Sequence, residues 1–98
     1  MILVEIDAAA LAEAVEAQEF YAAQRPGLGD EFAAELDKAM ARIAAYPTVW
    51  PLFSDRTRRY LMDRFPYSVV YRISGEEARV VAVFHQHRRP EYWRTRLP

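Results

Sequence analysis

The chain has 98 residues, a formal net charge of −1 and no cysteine. That length suits one domain, residues 1–98, and the missing thiols exclude disulfides and thiolate metal sites. No apolar run approaches the ~18 residues needed to span a bilayer, and the opening MILVEID lacks the basic start of a signal peptide, so a cytoplasmic protein with no membrane partner is expected.

Ile2, Val4 and Ile6 alternate with Glu5, the pattern of a strand. Asp7 can cap a following helix. Residues 8 to about 24 are rich in Ala, Glu and Gln, which favour helix. Leu11, Ala14, Val15, Tyr21 and Ala22 supply its apolar stripe. Arg25-Pro26-Gly27-Leu28-Gly29 then breaks it. A second helix opens at Gly29 or Asp30 and runs to about Ala45, with Phe32, Leu36, Ala39, Met40 and Ile43 on one face. Tyr46 precedes Pro47 and ends it. The short link makes the pair an antiparallel helical hairpin.

TVWPLFSD, residues 48–55, reads as a loop packed on the domain. Residues 56–62 form a candidate edge strand with Arg on both faces. Asp63-Arg64-Phe65-Pro66 is a turn. Tyr67, Val69, Tyr71 and Ile73 alternate with Ser68, Val70 and Arg72 in a half-buried strand. Ser74-Gly75-Glu76-Glu77 closes a hairpin. Residues 80–84, apolar on both faces, form a central strand that Pro90 stops, and residues 91–96 add a last helical turn. The order βααβββ predicts an α+β, two-layer fold: an antiparallel sheet, joined by the first strand, packed against an N-terminal helical hairpin.

Charge is segregated along the chain. Residues 1–55 hold ten acidic and three basic side chains, whereas residues 56–98 hold ten arginines and four acidic ones. Acidic groups of a partner are drawn to the second part. Arg58, Arg59, Arg64, Arg88, Arg89, Arg94 and Arg96 converge with Tyr92 and Trp93 at one end of the expected sheet. Arginine with aromatics suits phosphate contact and base stacking, and equally protein–protein hot spots. The residues alone do not separate these readings, and Trp93 also suits a core position.

His85 and His87 are two apart, so on a strand they share a side, with Arg89 continuing the row. The pair can supply two zinc ligands, but a third or fourth is required and the chain has no other His. No metal or cofactor is expected. A His beside Arg88 and Arg89 is pushed towards its neutral, basic form; a packed His85 and a solvated His87 is the simpler reading. Glu13, Glu16, Glu19, Glu31, Glu35 and Asp37 read as solvated helix surface. There is no Gly-rich phosphate loop, nucleophile elbow or cysteine nucleophile.

AVEAQEFYAAQRPGLGDEF, AAYPTVWP, RRYLMDRFPYSVVYRI and VVAVFHQHRRPEYWRTR, in that order, resemble the RelE/ParE superfamily of type II toxin–antitoxin toxins over nearly the whole chain. The resemblance implies a βααβββ toxin neutralised by a cognate antitoxin whose disordered C-terminal segment folds onto it, across the helical hairpin and the adjoining sheet. RelE-like members cut mRNA in the ribosome with basic sheet residues and a C-terminal Tyr or His. ParE-like members poison DNA gyrase. RelE-like proteins tend to carry Arg where this chain has Ser68, and losing a cation there weakens transition-state stabilisation by roughly 10²–10³ in rate. The near-neutral charge also fits poorly with strong RNA binding. The reading is therefore ParE-like: a toxin that docks on gyrase through Arg59, Arg64, His87, Arg88, Arg89 and Trp93, with no catalytic residue assigned. The alternatives are a RelE-like mRNA endonuclease, with His85 or His87 as base, Arg88 and Arg64 as phosphate clamps and Tyr92 assisting, or a non-toxic member that binds its antitoxin.

Overall fold

The structure is a computed structural model and describes residues 1–88 and 92–97. Its elements are β1 (Leu3–Ile6), α1 (Ala8–Gln24), α2 (Leu28–Ala45), β2 (Arg58–Leu61), β3 (Tyr67–Ser74) and β4 (Glu77–His85), followed by one 3₁₀ turn at Arg94–Arg96. They build one sheet in the order β1-β4-β3-β2. β2, β3 and β4 form the expected antiparallel meander. β1 joins parallel to β4, with Leu3 beside Glu77 and Ile6 beside Val80, so the sheet is mixed rather than wholly antiparallel. β4 is apolar on both faces, and β1 gives it the second neighbour that a central strand requires.

α2 buries Phe32, Ala39 and Ile43, with Leu36 and Met40 partly covered, as its spacing predicts. α1 departs from expectation in part, since Ala14 and Tyr21 of its expected stripe do pack on the core. Ala10, Ala14 and Ala17 face the core, whereas Leu11 and Val15 are about half exposed and Phe20 is 56% exposed. Small side chains let α1 lie close to its neighbours and leave its larger apolar groups outside. The two helices also touch closely: a Cβ on Gly29 would lie 2.9 Å from both the Ala22 Cβ and the Gln18 carbonyl oxygen. Gly27, at φ 86°, makes the left-handed turn between them and starts α2 one residue before the expected Gly29. Asp7 sits at the cap position of α1, but its carboxylate accepts from Arg79 Nε and Nη2, at 3.0 and 2.5 Å, instead of from the helix.

Both faces of the sheet carry a core. On the helical side Phe32 and Ile43 cluster with Tyr60, Val69, Tyr71, Val80 and Val83. On the other side Val70, Val81, Ala82 and Phe84 meet Trp93, with Phe53 against them. A register shift makes this possible. Val70 pairs with Ala82 but Tyr71 with Val80, so Val81 is the additional residue of a bulge and falls on the same face as Ala82. The loop after α2 and the C-terminal segment thus cover the face that the helices leave open. Among the described residues no helix is long and apolar enough to cross a membrane.

Candidate functional site

The C-terminal end of β4 outruns β1. Past Val80 only the backbone N–H of Asp7, donating to the Val80 oxygen at 2.9 Å, continues that ladder. Side chains then take the place of a strand. The Val83 N–H donates to Glu13 Oε1 at 3.1 Å, and Arg96 Nη1 donates both to that oxygen, at 2.8 Å, and to the Val81 carbonyl, at 3.0 Å. The Tyr92 hydroxyl donates to the other oxygen of Glu13. The guanidinium groups of Arg88 and Arg96 lie 4.0 and 5.0 Å from the centre of the Tyr92 ring. Burial, reinforced by the hydrogen bond to Glu13, holds the Tyr92 phenol well above its usual pKa, so it keeps its proton.

His85 is the last residue of β4 and His87 lies beyond it, exposed. They do not share a strand face, yet the turn stacks their rings at 5.1 Å. The His87 N–H donates to His85 Nδ1 at 3.1 Å. Tyr67 meets His85 edge-on at 5.4 Å. A groove of about 190 Å³ runs between this end and α1, lined by Glu13, Glu16, Phe20, Tyr67, His85 and Arg88. Among the described residues no three His, Cys, Asp or Glu side chains gather as metal ligands.

Arg64 lies at the same end of the sheet, in the β2–β3 turn, where the Gln86 N–H donates to the Pro66 carbonyl at 2.8 Å. Its side chain is engaged within the molecule. Arg64 Nη2 is 2.5 Å from Glu31 Oε1, and Arg25 takes the second oxygen at 3.2 Å. The hydrogen bond from Arg64 is the first cause holding the Glu31 carboxyl below its usual pKa. Next to it, Asp63 accepts from Lys38 at 2.9 Å and Arg42 at 3.3 Å and is likewise lowered, Lys38 first. α2 thus clamps a turn whose Arg64 adopts φ 69°, a conformation that disfavours a non-glycine residue.

The expected cluster therefore divides. His85, His87, Arg88 and Tyr92 come together, and Arg64 is near but paired. Arg59 lies on the edge strand and the far face, its guanidinium 4.5 Å from the Phe53 ring centre. Trp93, expected on the docking rim, is 1% exposed and stacks on Phe53 at 5.7 Å. The second core needs its indole, and no partner can reach it. Arg89 lies outside the described residues. Ser68 is fully buried opposite Phe84, and its hydroxyl has no hydrogen-bond partner among the described residues. Glu13 was read as solvated surface, and its role depends on β1 ending early, which no local pattern signals.

A helical hairpin laid on a four-stranded mixed sheet, with a basic end carried by the last strand, is an α+β fold. It is similar to a chain of the "Chromosomal ParDE TA system from P. aeruginosa", with a TM-score of 0.63 and 14% identity, covering 87% of this chain and 96% of that one. At that identity the likeness speaks to the fold alone. The family model described as ParE toxin of type II toxin-antitoxin system, parDE, matches residues 4–90, and the chain belongs to that family. No curated protein matches it by sequence.

Proposed function

We propose that this ParE-type toxin arrests growth by docking on DNA gyrase in the cytoplasm, that it is a single toxin domain, and that a cognate antitoxin neutralises it. The working surface is the end of β4, with His87 and Arg88 exposed there and Arg89 following in sequence. One observation carries the choice of docking over RNA cleavage: the phenol that a nuclease would use, Tyr92, is partly buried and engaged by Glu13, and it keeps its proton. The buried Ser68 supports the same reading. The stacked His85–His87 pair beside Arg88 is what favours the alternative, an mRNA endonuclease acting on the ribosome. Purified toxin added to gyrase in a supercoiling assay should trap cleaved DNA. Cleavage of mRNA on translating ribosomes, lost in a His87→Ala, Arg88→Ala double variant, supports the alternative.

The antitoxin reading is supported by helix α1, which exposes Leu11, Val15 and Phe20 while burying alanines. An apolar helix face left in water suits an amphipathic segment laid along it. Co-expression with the product of the adjacent gene should give a complex with a raised melting temperature, by about 2.7 kcal/mol of added stability at 100 times Kd.

A further inference from the structure

β3 continues past the start of β2. Arg58 pairs with Tyr71, so Arg72, Ile73 and Ser74 have β4 on one side and no described strand on the other. The Arg59 N–H, opposite Val70, turns outward to the Pro51 carbonyl at 3.0 Å, while the Met62 N–H donates to the Tyr67 carbonyl at 3.0 Å. Odd-numbered β3 residues therefore aim their backbone groups at β2. Ile73 is the next of that series, and its N–H and C=O face the gap beyond the end of β2.

A pocket of about 380 Å³ occupies this notch, lined among others by Leu52, Asp55, Arg56, Arg58, Arg72 and Ile73. Leu52 and Ile73 are 65% and 39% exposed, an apolar flank on each side. Arg72 stands opposite Arg79 in the ladder, and Arg79 is already paired with Asp7 and Glu77. The Arg72 Nε is buried with no hydrogen-bond partner among the described residues, a state that is costly to leave unmet. The notch thus offers an open strand edge, apolar walls and an unpaired guanidinium nitrogen, with arginines outnumbering the one aspartate.

We propose that this notch receives an extended acidic peptide segment of a partner protein. The segment adds to β3 as a short strand through Ile73 and seats a carboxylate against Arg72. Main-chain pairing gives affinity in this mode, and the pocket gives preference for the side chain. A nucleic-acid strand has no amide ladder to match Ile73 and gains nothing from Leu52. The notch lies at the opposite end of β3 from Tyr67 and His85, so the segment leaves the end of β4 uncovered, and the proposal does not rest on gyrase being the target.

The test is fluorescence anisotropy of the full 98-residue chain with a labelled Val-Asp-Val-Glu-Val peptide and its Asn/Gln analogue. The acidic peptide should bind about tenfold more tightly, and Arg72→Gln should erase that preference. Equal affinities, or a preference that survives Arg72→Gln, overturn the proposal. If Arg72→Gln does not fold, amide exchange at Ile73 in the unaltered chain decides: slowing on addition of the acidic peptide supports strand addition, and unchanged exchange overturns it. An oligothymidylate that displaces the acidic peptide would assign the notch to nucleic acid and also overturn it.

Discussion

The Tyr92 hydroxyl donates to the Glu13 carboxylate across 79 positions of sequence. Glu13 also accepts from Val83 and Arg96, so one side chain closes the edge of β4, anchors the C-terminal segment and occupies the phenol. Structure and the choice between docking and catalysis meet at this carboxylate.

Glu13→Ala leaves the Val83 N–H, the Arg96 guanidinium and the Tyr92 hydroxyl without their acceptor. The expected loss is about 2–4 kcal/mol, a fall in Tm of roughly 10 °C or more for a chain of this size. Thermal unfolding followed by circular dichroism reads it. A shift under about 2 °C would mean that water replaces Glu13 at this edge.

Alkaline pH should weaken the fold. Burial pushes the Tyr71 phenol up to about 12 and raises Tyr92 further. Both hold their protons more tightly folded than unfolded, so the stabilisation is complete below the unfolded value near 10 and is lost as pH rises to about 12 and beyond. Tyr71 accounts for about 3 kcal/mol of this. Tyr71→Phe should flatten the decline between pH 10 and 12 in urea titrations, while costing about 1 kcal/mol at neutral pH through the lost 2.6 Å bond to the Pro47 carbonyl.

Gly29→Ala should lower Tm, although alanine in an exposed helix would raise it. The added Cβ meets Ala22 Cβ and the Gln18 carbonyl at 2.9 Å, so the helices must part, at about 1–3 kcal/mol. An unchanged or higher Tm would show that the hairpin has room to relax.

Arg64→Gly and Arg88→Ala should behave differently. Glycine relieves the φ 69° conformation while an exposed ion pair with Glu31 is lost. The two effects offset, and Tm should move by only about 2 °C. Growth arrest by Arg64→Gly should match the unaltered toxin, whereas Arg88→Ala should reduce it while costing the fold only the stacking on Tyr92, about 0.5–1 kcal/mol. Equal loss of toxicity in both would return Arg64 to the docking surface.

The elements were readable where the pattern is periodic. Phe32, Ala39 and Ile43 mark α2, and the alternation from Tyr67 to Ile73 marks β3. α1 was misread in part: Ala14 and Tyr21 of its expected stripe pack inward, but Leu11 and Val15 do not, because alanine carries too little hydrophobic contrast to mark Ala10 and Ala17, and only contact with the sheet and α2 decides which face is buried. The parallel β1 depends on where β4 finds its second neighbour, a long-range choice without a local signature. At the site, the sequence located the basic end of β4. It left Trp93 open between the rim and the core, and could not reveal that Arg64 turns back to Glu31 or that Glu13 completes an unfinished edge, since each depends on contacts between distant segments.

The decisive measurement is DNA supercoiling by purified gyrase in the presence of the toxin, alone and as Arg88→Ala with its fold verified. Trapped cleaved DNA with the unaltered toxin, lost in the variant, is the expected outcome. Gyrase left fully active by a toxin that still cuts mRNA on translating ribosomes would overturn the docking reading and restore the histidine pair as a catalytic site.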